Sequence, residues 1–284
     1  MYHVSFNGWE ANLNLNPVAI EIGTFKIYWY GILICFGIML GLIYTWMNSA
    51  SYDINSNNFT DCVIVGMVTG IIGARIYYVL FNLDHYINDP VKMLQINQGG
   101  LAVYGSIIGG LLGGCAAAKW RKLNIWATLD LGAMGFLIGQ CIGRWGNFFN
   151  QEAFGSETNL PWGMISENTN NVAVHPCFLY ESIWCLFGFI LLHFLHKYKQ
   201  KYRGQVFLCY IVWYGAGRAV IEGLRSDSLY LPFRIFSIPV RVSQLVSLIL
   251  LITGVILLFI NRKKGDEWYV KNFGREKNIS ENPG

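Results

Sequence analysis

Charge is what this sequence lacks most. Of its 284 residues only 13% are Asp, Glu, Lys or Arg, about half the roughly 25% carried by an average soluble domain. Hydrophobic residues make up 54% and aromatics 15%, and the mean hydropathy is +0.37. So few charges cannot cover a water-soluble globule, and the apolar excess lies in runs of transmembrane length. Paired cysteines are missing too: Cys35, Cys62, Cys115, Cys141, Cys177, Cys185 and Cys209 are scattered, with no C-x-x-C. That excludes a disulfide scaffold and describes small buried apolar side chains. There is no H-E-x-x-H and no Cys/His pair at ligand spacing, so no metal is expected. Low-complexity tracts, a Gly-X-Y period, long heptad runs and internal repeats are also absent, which removes disorder, collagen and coiled coil. The net charge of +4 is small, and no nucleic-acid partner is expected.

What is present is seven apolar runs, at about Ile27 to Met47, Cys62 to Phe81, Leu101 to Ala118, Ala127 to Ile142, Phe178 to Leu195, Val206 to Ile221 and Val242 to Ile260. Each approaches the length needed to cross a bilayer core. The fold expected is an all-α polytopic membrane protein of about seven transmembrane helices with short outer-face elements. The first run is too long for a signal-peptide core and has only Lys26 ahead of it, so it stays in the membrane. Basic clusters at Lys119, Arg121, Lys122, at Lys197, Lys199, Lys201, Arg203 and at Arg262, Lys263, Lys264 fall on one side of a seven-span chain. The positive-inside rule makes that side cytoplasmic and places the N-terminus outside and the C-terminus inside. The division expected is an outer-face segment 1–26, a seven-helix catalytic domain 27–260 and a loose cytoplasmic tail 261–284. Asn16 to Tyr30 alternates around Gly23 as a short interfacial hairpin would. Glycine concentrates in spans two to four, where it permits close helix approach.

Ionisable residues inside apolar runs are costly unless they face protein or water. Arg75 lies late in span two, Tyr104 early in span three, Arg144 and Asn147 at the end of span four, and Glu181 just inside span five. Tyr214, Arg218, Glu222 and Arg225 follow at spacings that share one face of span six. With the topology applied, all of these lie in the outer half of the membrane. The loop after span six breaks the charge rule with Arg225, Arg234 and Arg241. Arg218 and Glu222 alone fit a structural ion pair, and Arg225 alone fits snorkelling. Taken together, Arg75, Arg144, Arg218, Arg225 and Arg241 outnumber the acids Glu152, Glu181 and Glu222. Guanidinium matches phosphate bidentately, and the phosphate at hand is a phospholipid headgroup. The segment Gly143-Arg-Trp-Gly-Asn-Phe-Phe-Asn-Gln-Glu-Ala-Phe-Gly155 packs Arg144, Asn147, Asn150, Gln151 and Glu152 into a glycine-punctuated stretch where span four leaves the membrane. It reads either as a ligand-approaching loop or as a polar helix end with a tight exit turn.

That segment matches throughout the signature G-R-x-G-N-F-x-N-x-E-x-x-G, and here the chain resembles the prolipoprotein diacylglyceryl transferases of bacterial membranes. Tyr28-Trp-Tyr-Gly31, Gly73 to Phe81, Gly99 to Gly105, His175 to Glu181 and Gly217 to Arg225 are similar to family segments in the same order, from about Tyr28 to Ile260. The resemblance implies transfer of the diacylglyceryl group of phosphatidylglycerol to the lipobox cysteine of prolipoprotein signal peptides. Glycerol phosphate leaves, the product is a thioether, no cofactor is used, and the enzyme sits among membrane lipids in the bacterial cytoplasmic membrane. It implies headgroup binding by Arg144, essential roles for Arg218 and Glu222, and functional positions at Tyr30, Asn147, Glu152 and Gly155.

Asn150, Arg75 and Arg241 join these as candidate substrate-binding residues. Tyr104 stands where enterobacterial members have histidine, as in the Gram-positive branch. A phenol with a free pKa of about 10 is a poor proton acceptor, so Tyr104 is read as orienting substrate or as an interfacial belt tyrosine. Glu152 and His175 remain as proton acceptors, His175 fitting a structural role equally well. An arginine-lined anion transporter would also use intramembrane arginines, and an intramembrane hydrolase would need a G-x-S-x-G or G-x-G-D that is absent.

Overall fold

The computed structural model describes residues 2–87, 89–95, 99–235 and 238–262, with the side chains of 9–11 and 232–238 also outside the description. The elements in chain order are β1 (Tyr2–Phe6), β2 (Trp9–Leu15), β3 (Val18–Ile22), β4 (Phe25–Tyr28), α1 (Trp29–Asn48), α2 (Ser56–Leu80), α3 (Val103–Trp120) and α4 (Ile125–Asn150). They continue with β5 (Met164–Ser166), α5 (Cys177–Tyr198), α6 (Gln205–Leu224), β6 (Tyr230–Ile235), β7 (Ile238–Arg241) and α7 (Val242–Asn261). All seven apolar runs are helices. Six are long and apolar enough to cross a membrane. The exception is α3, whose 18 residues include Gly105, Gly109, Gly110, Gly113 and Gly114 and end on Lys119 and Trp120, so that apolar side chains are diluted. The chain is a polytopic, predominantly helical membrane protein. Its expected tail beyond Arg262 lies outside the described residues.

The chain divides into two compact units, Met1–Thr45 with Asp130–Gly284, and Trp46–Leu129. In the second unit α2 and α3 pack along their glycines. A Cβ on Gly73 would stand 2.5 Å from the carbonyl oxygen of Gly105, and one on Gly113 would collide with Thr69. Such contact replaces the hydrophobic drive that lipid does not supply. Asn55 caps α2 by accepting from the backbone N–H of Asn57 and Asn58, and Arg121 pairs with Asp61 at 2.6 Å.

In the first unit β3 and β4 form the expected hairpin, turning at Gly23 with φ +60°. Not foreseen is a sheet in the order β2-β1-β5, which pairs the N-terminus with a segment far along the chain. Val4 from β1 and Met164 from β5 meet Val174, Phe148 of α4 and Phe178 of α5 in a small core. Phe148 and Phe178 stack with centroids 4.8 Å apart, fixing the last turn of α4 against the first of α5. Two turns into α5, Trp184 and Trp213 of α6 stack at 4.2 Å, and each indole N–H donates to the other's carbonyl at 2.9 Å. The ring of Trp184 occupies the space a side chain at Gly217 would need, and that of Trp213 the space at Gly188. This reciprocal lock sets the register of α5 on α6.

The start of α6 is capped from another helix. Asp130 of α4, fully buried, accepts from Gly204 N–H at 2.6 Å, Phe207 N–H at 2.7 Å and Gln200 Nε2 at 2.8 Å. Two of these are backbone donors at a helix start with no partner of their own, and an anion suits that end of the helix dipole. Asp130→Ala is expected to destabilise the protein by about 3 kcal/mol, the cost of stranding buried donors, with Asp130→Asn losing less because one acceptor remains. Thermal unfolding in detergent checks the order.

Candidate functional site

In the first unit α4 and α6 end, and α5 begins, at one ion-pair network. Glu181, in the second turn of α5 and 6% exposed, lies at its centre. Its Oε2 is 2.5 Å from Arg144 Nε, and its Oε1 is 2.6 Å from Arg218 Nη1 and 3.7 Å from Arg225 Nη1. Arg218 Nη2 is 2.5 Å from Glu222 Oε2, one turn further along α6. That contact is a charge pair without hydrogen-bond alignment, since Glu222 Oε2 is buried with no hydrogen-bond partner. Arg225 turns to Asp227, with Nε to Oδ1 at 2.8 Å and Nη2 to Oδ2 at 2.6 Å. Arg241, the residue before α7, donates to the Glu222 carbonyl and to Tyr230 Oη.

The arginines singled out by sequence are thus used differently. Arg75 belongs to the other unit. There it is 8% exposed and donates to the carbonyls of Lys92, Met93, Gly99 and Gly100 at 2.7–2.9 Å, which ties down the connection from α2 to α3. Arg218, Arg225 and Arg241 are engaged as above. Among the described residues Arg144 alone of the five leaves both Nη groups without a protein acceptor, and its side chain is 23% exposed. Tyr104, also of the other unit, has its ring 6.5 Å from that of Tyr77.

The segment 143–155 is half helix and half turn. α4 runs eight residues past the end of the continuous apolar run at Ile142, through Asn150, because arginine and asparagine end an apolar run without ending a helix. Gly146 leaves room for the Tyr30 ring, which would collide with a Cβ there. The turn then holds two residues in left-handed backbone, Gln151 at φ 51° and Ala153 at φ 58°, a conformation costing roughly 1–2 kcal/mol per L-residue. Buried partners hold it: Gln151 Nε2 donates to the Phe148 carbonyl at 2.6 Å, and the Gln151 carbonyl accepts from Asn168 at 3.0 Å. Glu152 Oε1 accepts from Asn147 Nδ2 at 3.0 Å and Asn150 Nδ2 at 3.4 Å. Gly155 bonds to the His175 carbonyl at 2.9 Å, and a Cβ there would lie 2.7 Å from His175 Cβ and 3.0 Å from the Leu224 carbonyl. Its place is a backbone crossing. His175 Nδ1 is 3.2 Å from Tyr180 Oη, which accepts from Trp162 Nε1 at 2.8 Å.

The family model of prolipoprotein diacylglyceryl transferase matches residues 17–260. The chain belongs to the prolipoprotein diacylglyceryl transferase family. A Bacillus cereus relative named phosphatidylglycerol–prolipoprotein diacylglyceryl transferase is 40% identical over 269 residues, covering 91% of this chain and 97% of its own. A Bacillus mycoides relative of the same name is 39% identical over the same span and shares. In this member Glu181 and Asp227 complete the network, and sequence reasoning left both out of the site. Glu181 carried a signal, being the one acid inside the apolar run of α5. Asp227 did not, since an acid two residues from an arginine in a loop is ordinary.

Glu181→Gln removes the charge that holds Arg144 and Arg218 together. It should cost on the order of 3 kcal/mol of stability, as breaking a buried pair does, and at least tenfold in turnover, read by unfolding and transferase assays. Burial raises the Asp227 carboxyl pKa, but hydrogen bonds and charge from Arg225 outweigh it and hold it below the usual range. A lowered native value stabilises fully above the unfolded pKa of about 3.9 and is lost only as pH falls through the native one. Asp227→Asn should therefore leave the shape of the turnover profile between about pH 5 and 8 as in the wild type.

Proposed function

We propose that this protein transfers the sn-1,2-diacylglyceryl group of phosphatidylglycerol to the thiol of a lipobox cysteine in prolipoprotein signal peptides, in the bacterial cytoplasmic membrane. In this reading the helix ends that carry Arg144, Glu181 and Glu222 face outward, and the basic clusters between α3 and α4, between α5 and α6 and after α7 face the cytoplasm. One observation carries the assignment of the headgroup site: Arg144 keeps both Nη groups open while Glu181 holds its Nε.

The reaction breaks the bond between the terminal glyceryl carbon and its phosphate oxygen and forms a carbon–sulfur bond. The electron pair leaves on the phosphate, whose charge grows as the thiolate charge is consumed. Open guanidinium donors next to that phosphate bind the transition state more strongly than the ground state, which raises kcat. A free thiol has a pKa of about 8.5, so a minor fraction is already ionised at neutral pH. Glu152, exposed and with Oε2 open, takes the proton from the remainder. His175 is the weaker acceptor: with Trp162 donating to Tyr180, the arrangement that uses every donor has Tyr180 giving its proton to Nδ1 and leaves Nε2 protonated. Arg218 holds Glu181, and Glu222 holds Arg218 and closes the network. Asn147 and Asn150 position Glu152, Arg241 closes the end of α6, Gly155 keeps the backbone crossing, and Arg75 shapes the α2–α3 connection. Tyr30 packs beside Arg144's helix turn to contact the lipid.

Purified protein given phosphatidylglycerol labelled in the acyl chains and a lipobox peptide should leave the label on the peptide cysteine and release glycerol phosphate. Label that stays on lipid overturns the assignment and favours an anion carrier. Arg144→Ala should lower kcat by about 100-fold or more, with Arg144→Lys recovering only part because an ammonium cannot grip phosphate bidentately. Full activity in Arg144→Ala overturns the headgroup site.

A further inference from the structure

Below the ion-pair network the facing stripes of α4 and α6 keep polar groups for one more turn. On α6, Tyr210 and Tyr214 precede Arg218 at four-residue steps, and their rings stack at 5.9 Å and 22°. On α4, Phe136 and Gln140 precede Arg144 at the same step. Tyr210 Oη lies 3.5 Å from Gln140 Oε1 and its ring 6.4 Å from Phe136, so the tyrosine stripe looks toward the Arg144 stripe rather than away from the protein. With Gln140 Oε1 facing Tyr210, the Gln140 amide nitrogen is left as a donor. Among the described residues no protein group hydrogen-bonds the hydroxyl of Tyr214, a partly buried residue. Two donors therefore stand about one helical turn, or ~6 Å, below Arg144 and Arg218, at a depth where an unused donor is costly.

Resting on the reading above, in which Arg144 holds the phosphate, we infer that Tyr214 and Gln140 recognise the two ester carbonyls of the diacylglyceryl group. A glycerophospholipid hung by its phosphate from Arg144 presents its ester carbonyls a glycerol's width further in. They are strong acceptors in a region otherwise short of them, and two donors meet two carbonyls. These residues are determinants of lipid specificity and take no part in the displacement. The esters neither form nor break a bond and gain no charge in the transition state, so the contacts are equal in ground and transition states. Losing them raises KM and leaves kcat alone, the reverse of what losing Arg144 does. The carbonyls also travel with the transferred group, so the same donors hold the thioether product.

The test compares phosphatidylglycerol carrying ester-linked chains with a dialkyl analogue whose chains are ether-linked and lack carbonyls, in vesicles, with a lipobox peptide as acceptor. The wild type should transfer from both, with a KM about fivefold to tenfold higher for the diether, the effect of one or two neutral hydrogen bonds. Tyr214→Phe should raise the diester KM toward the diether value without lowering kcat, and Gln140→Met should do the same. In both variants the diester and diether values converge. Failure of wild type to transfer from the diester overturns the headgroup reading itself. Transfer from both lipids with equal KM overturns the ester inference alone. So does a Tyr214→Phe loss that is the same for both lipids, because a packing defect is blind to the linkage.

Discussion

Arginines from different helices repel one another unless an anion stands between them, and Glu181 is that anion. It brings Arg144 of α4 to Arg218 of α6, and Arg225 approaches the same carboxylate. The pairing is costly to desolvate, so the surrounding structure has to make it well. The aromatic core of Phe148 and Phe178 holds α4 to α5, and the Trp184–Trp213 lock holds α5 to α6. Each brings the carboxylate to one of its guanidinium partners. Because Glu222 and Asp227 take up Arg218 and Arg225, the positive charge still on offer is concentrated on one side chain, Arg144.

Strain and glycine in the segment 143–155 serve the same arrangement. Gly146 admits the Tyr30 ring beside the turn that bears Arg144, and Gly155 lets three backbone stretches cross. Between them the left-handed residues Gln151 and Ala153 turn the chain sharply enough to carry Glu152 back to Asn147. The turn is held by a buried glutamine and not by glycine. A polar residue in that signature thus does mechanical service while its neighbour Glu152 stays exposed.

The helices were legible because lipid demands long apolar runs, and their ends matched within a few residues except where polar residues extended α2 back to Ser56 and α4 on to Asn150. The β3–β4 hairpin showed through alternation and Gly23. The β2-β1-β5 sheet did not, since β5 is three residues long and pairs across more than 150 positions, a distance local pattern cannot span. Arg144, Arg218 and Glu222 stood out as charges in apolar surroundings. What each guanidinium touches was invisible: Arg75 and Arg144 look alike in sequence, yet one is spent on backbone carbonyls and the other is open. Partner assignment is a property of packing, and spacing along one helix carries it only for pairs such as Arg218 and Glu222.

The buried cap on α6 makes that helix a strut of set length. Asp130 anchors its first turn, while Glu181 and Arg241 grip its last two. The twenty residues of the helix span about 30 Å, the thickness of a typical hydrocarbon core. Hydrophobic mismatch in a thinner or thicker bilayer is normally absorbed by tilt, kinking or deformation of the lipid. With both ends of the strut tied to its own unit, a kink or an independent tilt of α6 would break one anchorage or the other. The mismatch therefore passes to the surrounding lipid, and the spacing of the ionic network is insulated from the membrane it works in.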